Sequence, residues 1–207
     1  MLEASQIECV RGSRRLFRDL SFRLEAHQAL RVRGENGSGK TSLLRIVAGL
    51  SPAESGRVSW NDGNIRALGE NYLRELLYLG HSNGLKDDLT PVENLRYTLV
   101  LAGAGADEPA LRAALAEQGL ASIADLPVKL LSQGQKRRVA LARLSFSAHN
   151  PLWILDEPFI ALDAASVDRL ARTITEQVQR GGMVMFTTHQ EVDLPGTAMR
   201  TLELGVH

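Results

Sequence analysis

Read for apolar and polar positions alone, the chain falls into three kinds of stretch. Up to about Leu24, apolar residues alternate with polar ones: Ile7, Cys9, Leu16, Leu20, Phe22 and Leu24 stand among polar neighbours. That alternation predicts strands with one buried face. Three short runs are instead wholly apolar and end abruptly in polar residues. They are Leu76-Leu77-Tyr78-Leu79 ahead of Gly80-His81, Leu152-Trp153-Ile154-Leu155 ahead of Asp156-Glu157-Pro158, and Met183-Val184-Met185-Phe186 ahead of Thr187-Thr188-His189. Such runs predict strands buried on both faces, as in a parallel sheet covered by helices. Roughly from residue 84 to 147 the chain is rich in Ala and Leu, with Pro109 and Gly119 as punctuation, and reads as a helical insertion. Thr90-Pro91-Val92-Glu93 starts one of its helices, with Thr90 as cap, Pro91 in the first turn and Glu93 completing a capping box. Val58 and Trp60 lead into Asn61-Asp62-Gly63-Asn64, a hairpin turn signal that places a small antiparallel layer beside the core. The expected fold is therefore α/β: a mostly parallel core sheet, an N-terminal antiparallel β layer and a helical subdomain, within one domain spanning 1–207.

One further strand, Ala29-Leu30-Arg31-Val32-Arg33, is followed by Leu43, Leu44, Ile46 and Val47 at helical spacing, with Gly49 and Pro52 as stops. Between strand and helix lies Gly34-Glu35-Asn36-Gly37-Ser38-Gly39-Lys40-Thr41, which fits the phosphate-binding pattern GxxxxGK(S/T). A polyphosphate wrapped by backbone needs several inward N–H groups, and Gly34, Gly37 and Gly39 let the chain curl without Cβ clashes. Lys40 supplies a cation for the β- and γ-phosphates, the Thr41 hydroxyl is a Mg²⁺ ligand, and Ser42 continues the site into a helix whose positive end favours anions. Open parallel sheets place ligands at the C-terminal edge of their strands, so Lys40, His81, Asp156, Glu157 and His189 can converge on one site.

Composition narrows the class without changing this picture. The 207 residues suffice for one substantial core; 44% are hydrophobic and 23% charged, and 24 basic against 24 acidic residues leave no formal net charge. Nothing in that balance points to nucleic acid or an anionic membrane. A single cysteine, Cys9, excludes an internal disulfide and fits a reducing cytoplasm. The N-terminus lacks a signal-peptide core, and the longest low-polarity run, Thr98 to Ala106, is too short to span a bilayer. A membrane role is thus expected to be peripheral.

The adjacent carboxylates have a natural division of labour beside a phosphate loop. Asp156 can hold Mg²⁺ and Glu157 can polarise an attacking water; His189 can hydrogen-bond the γ-phosphate or that water. By itself Asp-Glu-Pro is only a strand end and a solvated turn, and His189 only a satisfied interior group. Leu131-Ser132-Gln133-Gly134-Gln135 marks another helix start, with Ser132 as N-cap and Gln135 three residues on. The Lys136-Arg137-Arg138 triplet that follows reads as a solvated helix face, since a polyanion site normally shows as a wider basic patch with net positive charge.

In this order the motifs resemble those of the ATP-binding cassette (ABC) ATPases along essentially the whole chain. Gly34 to Thr41 resembles the Walker A motif, Leu131 to Gln135 the signature motif and Leu152 to Asp156 Walker B. Glu157 matches the catalytic glutamate, Ala161-Leu162-Asp163 the D-loop and His189 the switch histidine. The resemblance implies a P-loop NTPase fold with the helical subdomain inserted in a RecA-like core, and ATP with Mg²⁺ held by Thr41 and Asp156. It also implies a head-to-tail homodimer that clamps ATP between the Walker A loop of one subunit and Ser132, Gln133, Gly134 and Gln135 of the other. Asp163 would join that site from its D-loop. Gln133 departs from the family's usual glycine, and His81 stands where a glutamine normally senses Mg²⁺ and the membrane partner. No aromatic is present near Arg11 to stack on adenine; Arg11 by its guanidinium plane, or Phe17, could serve.

Four strings further resemble the cytochrome c maturation group of that family: Gly39 to Arg45, Leu79-Gly80-His81, Arg137 to Leu144 and Leu152 to Phe159. This resemblance implies transport-coupled ATP hydrolysis in haem export or release for c-type cytochromes. It also implies membrane partners of the CcmB and CcmC kind and a peripheral place on the cytoplasmic face of the inner membrane. Competing readings are a soluble cassette ATPase acting as an assembly or remodelling factor, the ATPase of a different transporter, and a small-molecule kinase sharing only the phosphate loop.

Overall fold

The computed structural model describes residues 1–205. The chain forms two compact units, one of residues 1–81, 150–157 and 174 onward, the other of 82–149 and 158–173. The second contains the stretch expected as a helical insertion.

In the first unit the alternating N-terminal segment makes an antiparallel sheet. Strand β1 (Leu2–Arg11) pairs with β2 (Arg14–Leu24) on one side and β4 (Ser55–Trp60) on the other, and β5 (Gly63–Asn64) closes back on β4, in the order β2-β1-β4-β5. Asn61 and Asp62 link β4 to β5 with both φ angles positive, 46° and 67°, as a tight hairpin turn demands. The inward residues Leu2, Ala4, Ile7, Cys9, Phe17, Leu24, Val58 and Trp60 enter one core.

The apolar runs form the second sheet of this unit. Its strands β6 (Leu76–Leu79), β7 (Leu152–Leu155), β8 (Met183–Thr187), β3 (Gln28–Gly34) and β9 (Ala198–Leu204) are all parallel and lie in the order β6-β7-β8-β3-β9. β7 and β8 are buried along their entire length, as expected of strands covered on both faces. β9 had no apolar run to announce it. It is an edge strand, half exposed, whose sequence Ala-Met-Arg-Thr-Leu-Glu-Leu carries too few apolar positions to stand out.

Helix α1 (Lys40–Val47) drives Leu43, Leu44, Ile46 and Val47 into the same core. Two short helices, α2 (Ile65–Leu68) and α3 (Glu70–Glu75), lead into β6. The Tyr72 hydroxyl of α3 donates to the Val47 carbonyl at 2.7 Å, satisfying a group at the end of α1 that the helix cannot satisfy itself. Its burial pushes the phenol well above the ordinary range.

The second unit is helical. α4 (Pro91–Leu101), α5 (Glu108–Glu117) and α6 (Gln133–Leu141) surround Val92, Leu95, Leu99, Leu111, Leu115, Leu120, Val128 and Val139. α7 (Ala164–Gln179) begins in this unit and its residues from 174 belong to the first. The capping box read from Thr90 and Glu93 is formed, and Asp107 caps α5. Asn94, almost fully buried, accepts from the Lys86 N–H and donates to the carbonyls of Lys86, Leu89 and Thr90, which fixes the loop entering α4.

Candidate functional site

Because the five strands of the second sheet are parallel, their C-terminal ends share one edge. Gly34 closes β3, Asp156 and Glu157 follow β7, Thr187 closes β8 with His189 two residues on, and His81 lies two residues past β6. β8 runs between β7 and β3, so Thr187 stands between the carboxylates and the phosphate loop.

Gly34 has a positive φ of 152°, and a Cβ there would sit 2.6 Å from Ser38 Oγ and 2.7 Å from the Leu204 carbonyl oxygen. Only glycine lets the loop fold back this closely beside β9. Lys40 Nζ donates to the carbonyls of Gly34 at 2.8 Å and Glu35 at 3.2 Å, holding the ammonium across the start of the loop. α1 begins from Gly39 with no side chain capping it, whereas α4, α5 and α6 are capped by Thr90, Asp107 and Ser132. The N–H groups of Lys40, Thr41 and Ser42 in the first turn therefore have no intrahelical acceptor. Ser38 Oγ is buried and makes no hydrogen bond among the described residues. Uncapped N–H groups, a buried hydroxyl and one ammonium form a donor set that fits a polyphosphate. Glu35, Asn36, Gly37 and Thr41 are exposed, while Ser42 turns toward the buried Cys9. Burial pushes the Cys9 thiol up, a shift that Arg11 and the Ser42 hydroxyl oppose.

Asp156 is fully buried. The Thr187 hydroxyl donates to Asp156 Oδ1 at 2.9 Å and accepts the Glu157 N–H at 2.7 Å, so one side chain orients both acidic residues. Glu157 has a φ of 48°, a left-handed conformation that costs a non-glycine residue about 1–3 kcal/mol. The bend turns the chain off the line of β7, and Glu157 Oε1 lies 3.4 Å from His189 Nε2. Nearby Tyr78 has its phenol raised, chiefly by burial and further by the charge of Asp156. Thr187 was absent from the expected site residues; its only signal in sequence is a hydroxyl at the end of an apolar run.

The remaining expected residues lie in the second unit. Ser132 caps α6 in a full capping box, accepting the Gln135 N–H at 3.2 Å while its own N–H donates to Gln135 Oε1 at 2.8 Å. Gln133 and Gly134 form the first turn. A Cβ on Gly134 would lie 2.6 Å from the Ala161 carbonyl oxygen, so the helix start and the turn ahead of Asp163 touch through bare backbone. Gly134→Ala is accordingly expected to cost about 1–3 kcal/mol by overpacking, read as a lower urea midpoint with an unchanged slope. Asp163 accepts the Ser166 N–H at 2.8 Å and so caps the start of α7. That bonding to Ser166, with Arg138 and Arg169 adding their charges, holds its carboxyl below the usual carboxylate range.

Two sequence expectations are overturned. Phe17 is 2% exposed, its ring packed beneath Gly39, so it belongs to the core and has no face to offer adenine; Arg11 is exposed at the end of β1. The basic triplet is not a solvated face either. Arg137 is 1% exposed, Lys136 pairs with Asp87 at 3.1 Å and Arg138 donates to the Gln118 carbonyl at 3.0 Å. A basic triplet reads the same in sequence whether solvent or protein acceptors take its hydrogen bonds.

The sequence profile of the ABC transporter family matches residues 17–160. The cytochrome c biogenesis ATP-binding export protein CcmA of Dechloromonas aromatica is 52% identical over 205 residues, spanning 99% of this chain and 100% of its own. Proteins of the same name from Nitrosomonas europaea and Vibrio cholerae are 48% and 45% identical, covering 99% of this chain and 95% and 99% of theirs. Among solved structures, the ATP-binding subunit of an ABC transporter superposes with a TM-score of 0.78 at 25% identity, over 91% of this chain and 79% of its own. An ATP-binding cassette solved as a dimer in a post-hydrolysis state with ADP and Pi shares the fold, with a TM-score of 0.79 at 22% identity over 92% of this chain and 88% of that one. Profile, full-length relatives and fold agree, and the chain belongs to the ABC transporter family of ATP-binding proteins, in the group that includes CcmA.

Proposed function

We propose that the chain is the ATP-hydrolysing, nucleotide-binding subunit of an ABC transporter complex whose work is haem export or release for c-type cytochrome biogenesis. The observation that carries this reading is the 52% identity, over 99% of this chain and the full length of the relative, with a protein named for cytochrome c biogenesis and export.

In this reading Lys40 and the loop from Gly34 to Ser42 bind the phosphates of ATP through the donors described above. Mg²⁺, held by Thr41 and Asp156, would neutralise charge on the phosphate oxygens. Glu157 takes a proton from the attacking water, and His189, within reach of Glu157, orients that water or the γ-phosphate. Two chains act head to tail, Ser132, Gln133, Gly134 and Gln135 of one completing the phosphate site of the other. The Ser132 hydroxyl accepts the Gln135 N–H on one lone pair and keeps its own proton to donate. Asp163 lies behind that helix start, and Arg11 is the remaining residue to stack on adenine. His81 takes the place of the family's glutamine in reporting to the membrane subunits, which we assign as CcmB and CcmC. Among the described residues no helix is long and apolar enough to cross a membrane. We assign the chain to the cytoplasmic face of the inner membrane, attached through those subunits.

Deleting the gene is expected to abolish holo c-type cytochromes, detected by haem staining of membranes, and the wild-type copy to restore them. Ser132→Arg is expected to fail to restore them while the purified variant still binds ATP as a monomer. Intact c-type cytochromes alongside failure of a different transport process would overturn the reading.

A further inference from the structure

The chain leaves its first unit for its second after His81 and again after Glu157, so both exits directly follow residues of the proposed site. Just beyond those exits stand Asn83 and Pro158, and both are bound by one side chain of the second unit. Arg137 Nη1 donates to Asn83 Oδ1 at 3.1 Å, and Arg137 Nε donates to the Pro158 carbonyl at 3.3 Å. Arg137 lies in α6, five residues after Ser132, and is 1% exposed. Burying a guanidinium is costly unless its donors are met, so a fork that reaches acceptors on both of these segments defines a geometry rather than merely filling space. Pro158 is also the residue whose peptide follows the left-handed backbone of Glu157.

We propose that Arg137 is a positioning residue: it clasps the chain segments leaving His81 and Glu157 to the helix that begins at Ser132. Displacement of α6 when its start meets nucleotide is then passed along backbone to the water-activating and membrane-reporting residues. The proposal rests on the roles given above to Glu157, His81 and Ser132. Neither Lys nor Gln reproduces it, since an ammonium is a point donor and a Gln amide is too short to span both acceptors.

The test compares full-length wild type, Arg137→Gln, Asn83→Ala and the double variant by ATP turnover, calorimetric ATP affinity and melting temperature. Arg137→Gln is expected to lower kcat about 10²-fold, the size of effect a misplaced catalytic group produces, with the Kd for ATP unchanged. Asn83→Ala removes one arm and gives a smaller loss of kcat, again at unchanged Kd; added to Arg137→Gln it costs nothing more. Wild-type kcat in Arg137→Gln overturns the clasp. So do additive losses in the double variant, or a fall of kcat in step with ATP affinity and melting temperature, the signature of a purely structural residue. If Arg137→Gln does not fold, Asn83→Ala decides alone: a lower kcat at unchanged Kd supports the clasp and an unchanged kcat overturns it. A wild-type chain that turns over no ATP overturns the functional reading and the clasp together, whereas equal activity in wild type and Arg137→Gln overturns the clasp only.

Discussion

Glu157→Gln is expected to lower ATP turnover by about 10²- to 10⁴-fold, the contribution of one positioned proton acceptor, while ATP binding survives. Glutamine is nearly isosteric with glutamate, so the left-handed backbone at this position, the Thr187 bond to its N–H and the packing of β7 are all retained. What is lost is the carboxylate to which we assign the proton of the attacking water. The phosphate loop, Lys40 and the start of α1 remain, so a nucleotide-bridged dimer should accumulate, visible in size-exclusion chromatography with ATP and absent with ADP. Turnover at the wild-type rate would remove Glu157 from this role.

Thr187→Val carries the next largest effect, and it comes from geometry. The substitution keeps the shape of a fully buried residue but deletes the hydroxyl that donates to Asp156 and accepts from Glu157. Losing buried hydrogen-bonding partners costs about 1–3 kcal/mol of stability. With the Glu157 N–H no longer held by Thr187, its strained backbone can relax and move the carboxylate, and displacement of that kind costs about 10²-fold in rate. Thr187→Ser keeps the hydroxyl and is expected to recover most of the turnover. Measuring kcat and urea unfolding for both variants separates the two effects. A Val variant as active as wild type would show that Thr187 only fills space.

Much of the fold was legible because its signals are local. Alternation up to Leu24 announced the antiparallel layer, the apolar runs announced β6, β7 and β8, and Thr90 with Glu93 announced the start of α4. β9 was not legible, since an edge strand buries one face at most and its short apolar pattern resembles that of a loop. α3 was missed for a related reason: Tyr72 alone is buried in it, too few positions to show a helical period.

For the candidate site, residue types and spacing along the chain were enough to nominate the loop from Gly34 to Thr41, the Asp156-Glu157 pair and the helix start at Ser132, because backbone curvature, strand ends and helix caps depend on near neighbours. Sequence alone could not say that β8 lies between β7 and β3, that Thr187 therefore ties Asp156 to Glu157, or that Phe17 is core while Arg137 is buried against Asn83 and Pro158. Those relations are contacts between residues far apart in the chain. They depend on strand order and on which side of a helix finds a partner, and only the packed structure decides them.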